Sequence, residues 1–207
     1  MEPHTTFATA DLDATNCYKL LTGLVTPRPI GWIGTKGADG IDNLAPYSFF
    51  NAISAEPPTV LFSVGIGHHV KDSAANAVAS GEFTVNIVTD ETVEAMNVTA
   101  GEHPPHISEF DVAGLTPLPS TLIDAPRVAE ATAQLECRVS DVHDIVSSNG
   151  EASNRVIFGE VVAIHVADRV LDGTRIRPDL LRSIGRMAGS GYTKTGDGLF
   201  QLERPTV

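Results

Sequence analysis

One apolar stretch of the sequence carries an unusual density of polar side chains. Residues 43–58 read NLAPYSFFNAISAEPP, with Asn43, Ser48, Asn51 and Ser54 at short intervals among hydrophobic residues. Buried hydroxyl and amide groups need hydrogen-bond partners, which a wall holding a flat, polar, phosphorylated ligand would provide. Ser48 and Asn51 are equally typical of a turn between two strands, so this stretch alone supports both interpretations.

A second candidate site is Lys71-Asp72-Ser73, directly ahead of an alanine-rich segment. Asp72 or Ser73 is a suitable helix N-cap, the alanines favour a helix, and Gly81 is suited to end it. The free N–H groups and positive dipole of a helix start, with a lysine beside them, favour a phosphate group. An ordinary capped helix with a solvated lysine explains the same residues, and on their own they favour that simpler interpretation.

The histidines do not form a metal-binding pattern. His68 and His69 are adjacent, whereas His103 and His106 have a usable spacing but no obvious third ligand. We therefore expect no metal. No Gly-x-Gly-x-x-Gly motif follows a strand and no Walker loop is present, which argues against a Rossmann site.

The charge of the chain excludes one class of partner. Its 207 residues include 26 acidic and 14 basic ones, a formal net charge of −12, so no nucleic-acid partner is expected. Six basic residues cluster near the C-terminus, as a solvated face or as contacts to an anionic ligand or subunit: Arg169, Arg175, Arg177, Arg182, Arg186 and Lys194.

The sequence is typical of a cytoplasmic protein. It has no apolar run of membrane-spanning length, and its first residues lack the basic and apolar regions of a secretory signal. Cys17 and Cys137 are far apart without a neighbouring histidine, so we expect free thiols in a reducing compartment. No membrane association is expected.

Strands dominate the predicted elements. We predict a hairpin over 29–45, strands over 59–64, 83–88, 128–146 and 155–166, and a bend or bulge at Gly159. Helices are predicted over 17–24, capped by Thr15 or Asn16, over 72–80 and over 90–100, with a short one after Asp168. This pattern favours a mainly β, closed or partly closed barrel with a few peripheral helices over a parallel α/β sheet.

Taken together, the motifs resemble the flavin reductase-like family, whose members, flavoredoxins among them, have the FMN-binding split-barrel fold. The matching segments occur in the family's order: TPRPIGWIGT (26–35), NLAPYSFFNAISAEPP (43–58), KDSAAN (71–76), GEFTVN (81–86) and IGRMAGSGY (184–192). Ser73 replaces the more frequent threonine, and Met187-Ala188 replaces a more frequent Leu-Gly pair. The expected organisation is an arm over 1–15, the split-barrel domain over 16–193 and a tail over 194–207.

The resemblance implies FMN bound without a covalent bond, at a homodimer interface. The isoalloxazine ring is expected near Thr26, Arg28 and Pro29. The remaining cofactor contacts are expected from Ser48, Phe49, Phe50 and Asn51 along the flavin, from Lys71, Asp72 and Ser73 at the phosphate, and from Arg186. The cofactor carries the chemistry, so no side chain is assigned as catalytic. His68 and His69 are candidates for a nicotinamide pocket or, equally, for a surface loop.

The reaction implied by the resemblance is the reduction of FMN by NADH or NADPH, as in an NAD(P)H-dependent flavin reductase. Two alternatives remain open. The chain could be an FMN-containing electron carrier that exchanges electrons with a redox protein partner, or a non-redox binding protein that uses the barrel for another anionic ligand.

Overall fold

A computed structural model describes residues 2–67, 71–147 and 149–205. His68 and His69 lie outside the described residues. The helices of the described chain are α1 Ala14–Leu24, α2 Asp72–Ser80, α3 Val93–Val98, α4 Glu109–Ala113 and α5 Pro178–Leu181. None of these helices combines the length and apolar character that crossing a bilayer requires.

The strands of the described chain are mostly antiparallel neighbours. In chain order they are β1 Arg28–Pro29, β2 Gly31–Lys36, β3 Asp42–Tyr47, β4 Phe50–Ala55, β5 Pro58–Gly65, β6 Glu82–Ile87, β7 Pro117–Leu118, β8 Arg127–Val128, β9 Ala133–Val146, β10 Ala152–Val166, β11 Leu171–Asp172, β12 Arg175–Ile176, β13 Ile184–Arg186 and β14 Tyr192–Lys194.

One seven-stranded sheet, in the order β3-β2-β6-β9-β10-β5-β4, forms the body of the molecule. Side chains from five of its strands meet in a single core that includes Ile33, Phe62, Phe83, Cys137 and Ile157, and α2 packs on the same core. The sheet therefore curls around this core. Its two edge strands, β3 and β4, are consecutive in the sequence and are joined by the short Ser48-Phe49 connection. The predicted mainly β fold with few helices is confirmed.

A second core lies on the other side of β2, β3 and β6. Trp32 and Leu44 are fully buried there against Met96 of α3 and Phe110 of α4. The indole N–H of Trp32 donates to the Thr99 hydroxyl at 2.9 Å, which satisfies the buried polar end of an otherwise apolar side chain. This core fixes α3 and α4 beside the edge strand β3.

Most predicted elements are confirmed, with differences at their ends. The hairpin is β2–β3, and the register of β10 shifts at Gly159 as predicted. Both predicted helix caps are wrong. Asp13 caps α1 by accepting the Asn16 N–H at 2.7 Å, so the helix begins earlier. Lys71 occupies the N-cap of α2 without a side-chain hydrogen bond.

Candidate functional site

An open cleft of about 830 Å³ lies where the edge strand β3, the start of α2 and the residues after α3 meet. Pro46 and Tyr47 contribute one wall and Lys71, Asp72 and Ser73 another, with Gly65 and Gly67 between them and residues 99–103 opposite. A cleft of this size suits a nucleotide-sized ligand. The structure thus brings the predicted Lys71–Ser73 site together with the second half of β3.

The start of α2 is the part of the cleft best suited to bind an anion. Its N-cap residue, Lys71, makes no side-chain cap, so the N–H groups of the first turn depend on other partners. The Lys71 ammonium is half exposed and lies 3.1 Å from the Glu102 carboxylate, which is 90% exposed. An exposed pair of this kind contributes little stability, so an anionic ligand can replace Glu102 as the partner of Lys71 at little cost.

The Ser73 hydroxyl does not point freely into the cleft. It is buried and donates to the Asn43 side-chain oxygen at 2.8 Å, to which the Thr35 hydroxyl also donates at 3.3 Å. Asn43 in turn donates to Glu109 at 2.9 Å, and the same carboxylate oxygen accepts the Leu44 N–H. These bonds fix the start of α2 against β3, so the Ser73 hydroxyl supports the cleft wall.

Tyr47 forms a neutral wall of the cleft. Burial is the largest of the causes that together raise the pKa of its phenol to about 12; the nearby Glu109 and Asp72 carboxylates act in the same direction, and the Ser73 hydroxyl acts against them. The hydroxyl therefore stays protonated at physiological pH. Tyr47 also packs on Phe62 with ring centres 5.3 Å apart, which gives the cleft a rigid aromatic side.

Arg28 ties the predicted ring-binding segments together. Its buried guanidinium donates to the carbonyls of Thr22 and Val25, both at 2.7 Å, and to the Met187 carbonyl at 3.1 Å. A longer bond of 3.4 Å reaches the Ser48 hydroxyl. Arg28 therefore joins α1, the β3–β4 connection and the C-terminal segment. Its N–H donors are used in bonds that stabilise the fold.

The remaining predicted residues fall into two groups. Pro29 and Phe50 line an apolar groove of about 460 Å³ together with Arg28. Thr26 is partly buried beside this groove, whereas Phe49 and Asn51 are exposed on the β3–β4 connection and on the edge strand β4. The structure thus places the ring-binding candidates around one end of β4 and the phosphate-binding candidates in the cleft beyond β3.

Arg186 lies apart from the Lys71 cleft. Its guanidinium is 4.6 Å from the centre of the Tyr192 ring and donates to the Tyr192 hydroxyl and to the Gly189 carbonyl. It lines a separate cleft beside α3.

Two carboxylates of the cleft were absent from the sequence prediction. Glu102 follows α3 and Glu109 begins α4, and no local sequence pattern indicates that the 102–119 segment packs against β3. The bonds of Glu109 to the Asn43 side chain and the Leu44 N–H, and its burial with 7% of its surface exposed, make it part of the cleft wall.

Comparison with known proteins covers nearly the whole chain. An uncharacterized protein of Halalkalibacterium halodurans is 42% identical over 192 residues, which are 92% of this chain and 91% of the relative. The structure of nitrilotriacetate monooxygenase component B from Bacillus cereus matches with a TM-score of 0.94 and 34% identity, over 98% of this chain and 100% of that one. The 2-nitrobenzoate 2-nitroreductase of Pseudomonas fluorescens matches with a TM-score of 0.87 and 33% identity, over 98% and 97%.

Residues 23–182 match the sequence profile of the flavin reductase like domain. This range contains the cleft, Arg28 and the Ser48–Asn51 segment, and the solved structures share the curled sheet. The chain belongs to the flavin reductase-like family and has its split-barrel fold.

Proposed function

We propose that this chain is an FMN-binding oxidoreductase that reduces its flavin with NADH or NADPH. The observation that carries the proposal is the Lys71 cleft: Lys71 and the start of α2 face a cleft of about 830 Å³ that the apolar Pro46 and the neutral Tyr47 also line. Three carboxylates line it as well, but Glu109 is bonded to Asn43 and Leu44 and Glu102 is exposed. A phosphate is therefore expected at the α2 end, beside Lys71.

The residues present fit the cofactor in distinct roles. Lys71 and the first-turn N–H groups of Asp72 and Ser73 would hold the phosphate, with Glu102 released from Lys71. Ser48 and the backbone of Phe49, Phe50 and Asn51 would follow the ribityl chain and ring, near Thr26, Pro29 and the Arg28 that fixes Ser48.

When bound, FMN supplies the redox chemistry: its N5 accepts a hydride from the nicotinamide, which is thereby oxidised. The chain contributes position and a site of defined charge, and no side chain is assigned a proton-transfer role. Two similar structures are those of a monooxygenase component and a nitroreductase, which supports redox chemistry in this fold.

The homodimer and the location complete the proposal. An exposed apolar face runs from α1 and the residue after it to the β3–β4 connection, where the Tyr18 and Phe49 rings are 6.4 Å apart, and on to β4. Its exposed members are Tyr18, Leu21, Leu24, Val25, Phe49 and Ile53. A face of this kind is typical of a subunit interface, and we propose that a second copy covers it. Both cysteines are free, which fits a reducing compartment, so the cytoplasm is the proposed location.

Replacing Lys71 with alanine tests the phosphate assignment. We expect the dissociation constant for FMN to rise about tenfold, the loss of about 1.4 kcal/mol that one partly exposed charge-assisted hydrogen bond represents. Fluorescence titration of the flavin measures it. Lys194→Ala is the matched control, because Lys194 is similarly exposed and lies 3.9 Å from Asp90, outside the cleft. Equal FMN affinity in both variants and the parent would contradict the assignment of Lys71.

A further inference from the structure

A second cleft, of about 430 Å³, lies between α3 and the β13–β14 hairpin. Val93, Glu94 and Asn97 form its α3 side, and Arg186, Ser190 and Tyr192 form its hairpin side. Asn97 of this cleft lies two positions before Thr99, which lines the Lys71 cleft. On the hairpin side, Arg186 is the register partner of Arg28 in β1, the segment that carries the ring-binding candidates.

One wall of this second cleft is formed by Tyr192 and Arg186 in contact with each other. Tyr192 packs against the buried core beside Val93. The Arg186 guanidinium, 4.6 Å from the centre of the Tyr192 ring, is held by its bonds to the Tyr192 hydroxyl and the Gly189 carbonyl. Guanidinium planes and aromatic rings are the surfaces on which heteroaromatic bases stack.

The edge of the cleft carries groups that suit adenine. The Asn97 side-chain oxygen accepts a long hydrogen bond of 3.5 Å from the Tyr192 hydroxyl, and this contact leaves the amide N–H₂ group available. An asparagine amide pairs with the N6 and N7 edge of adenine in both directions. The Ser190 hydroxyl adds a further donor or acceptor on the hairpin side.

Glu94 gives the cleft a negative charge of its own. It is exposed in the first turn of α3, and among the described residues it forms neither an ion pair nor a side-chain hydrogen bond. A carboxylate in a nucleotide cleft accepts hydrogen bonds from ribose hydroxyls and repels a 2′-phosphate. Arg186 is the cation of the same cleft, but its guanidinium is already engaged with Tyr192 and Gly189.

We propose that this second cleft binds the adenosine half of NADH, with Glu94 on the ribose hydroxyls and the base between Asn97 and the Arg186–Tyr192 wall. The carboxylate makes NADH the preferred donor over NADPH. In this proposal Arg186 contacts the donor, whereas the sequence resemblance implied a flavin contact for the same residue. The role of this cleft as a donor site rests on the proposed reductase function. The binding of ADP-ribose can be measured whether or not the protein binds flavin.

Calorimetric titration of the full chain with ADP-ribose and with 2′-phospho-ADP-ribose tests the proposal, with and without added FMN. We expect ADP-ribose to bind in both states, and the 2′-phosphorylated probe to bind about tenfold more weakly because two negative charges meet. Glu94→Gln is expected to lower the affinity for ADP-ribose about threefold or more and to reduce the difference in affinity between the two probes. Asn97→Ala is expected to weaken both probes alike.

Glu91→Gln is the matched control, since Glu91 precedes α3 but pairs with Arg169 at 3.1 Å and does not line the cleft. We expect it to bind both probes as the parent does. Absence of ADP-ribose binding, equal affinity for the two probes, or the same discrimination in Glu94→Gln as in the parent would overturn the proposal. FMN titration of the same preparation reports separately on the flavin cleft, so failure of one site is distinguishable from failure of the other.

Discussion

Two buried carboxylates show how single residues attach irregular segments to the sheet. Glu109 fixes α4 to β3 through Asn43 and the Leu44 N–H. Glu136 of β9, which is fully buried, accepts the N–H groups of Thr121 and Leu122, both at 2.7 Å. A buried charge is tolerated only when it is fully hydrogen-bonded, so each carboxylate holds its segment against the sheet through the N–H groups that it accepts.

Glu136 has a titration whose sign can be stated. Burial alone would raise the pKa of its carboxyl, but the N–H bonds from Thr121 and Leu122 and the contact with His165 at 2.7 Å outweigh burial and lower the pKa. The group therefore contributes stability above its unfolded pKa of about 4.3, and this contribution is lost as the pH falls through the lower folded value.

We predict that Glu136→Gln lowers the free energy of unfolding by about 1–3 kcal/mol at pH 7. The glutamine oxygen can accept one of the two backbone N–H groups, but its N–H₂ group cannot accept the other, which loses its hydrogen bond. Urea denaturation at pH 7 and at pH 3 measures it, and the gap between variant and parent should shrink at the lower pH. Glu130→Gln is the control, because Glu130 accepts the Thr116 N–H at an exposed position. A gap of equal size at both pH values would contradict the role of the charge.

At the scale of elements, strand β10 bends where it crosses the core. A Cβ atom at Gly159 would lie 2.3 Å from the Phe83 ring, so only glycine lets this strand pass the ring. We predict that Gly159→Ala lowers the free energy of unfolding by about 1–3 kcal/mol through overpacking. Thermal denaturation followed by circular dichroism measures the change.

Gly23→Ala provides the comparison for Gly159, because a Cβ at Gly23 in α1 meets nothing within 4 Å. Alanine is the better helix former by about 1 kcal/mol, so this variant should be as stable as the parent or more stable. Equal destabilisation by the two substitutions would show that the close approach of Phe83 is not the cause.

The elements that could be predicted are those that depend on local sequence, and the contacts that could not be predicted join distant residues. The hairpin and β10 follow from local alternation and turn residues, so Gly159 could be placed at a bend from its neighbours alone. The bond from Asn43 to Glu109 joins residues 66 positions apart, and Arg28 reaches Met187 across 159. Local patterns carry no information on such pairings, and the motif resemblance named Arg28 without showing that its donors face backbone carbonyls.

For the whole molecule, the exposed apolar face of α1 and β4 is the feature that a monomer leaves unexplained. Leu24 is 80% exposed and Tyr18 59% exposed, and the Tyr18 ring lies 6.4 Å from that of Phe49, so the face continues from the helix to the β3–β4 connection. The same connection carries the flavin candidates, which places the proposed interface next to the proposed cofactor.

We predict that Leu24→Lys converts a homodimer to a monomer, because a charge at the centre of an apolar interface is costly to bury. Sedimentation at several protein concentrations measures the mass. Leu202→Lys is the control, since Leu202 is 84% exposed in the C-terminal tail and should leave the mass unchanged. A parent protein that sediments as a monomer throughout would contradict the proposed dimer.

The fold as a whole was accessible from the sequence because short motifs in a fixed order identify a family even when each is weak. The site was accessible only in outline. Lys71 and Ser73 do meet in one cleft, but the burial of the Ser73 hydroxyl and the opposing Glu102 depend on how the 102–119 segment packs. The motif at 184–192 and the helix predicted over 90–100 contain the residues of the second cleft, but nothing in the local sequence indicates that the two segments face each other.

The most direct test of the central claim is the visible absorption spectrum of the purified protein, saturated with FMN and then mixed with NADH or NADPH without oxygen. We predict a bound flavin whose absorption bands bleach rapidly with at least one donor. Oxidised flavin bands that persist with both donors would favour an electron carrier served by a protein partner. A protein that takes up no FMN would contradict the proposed flavin site.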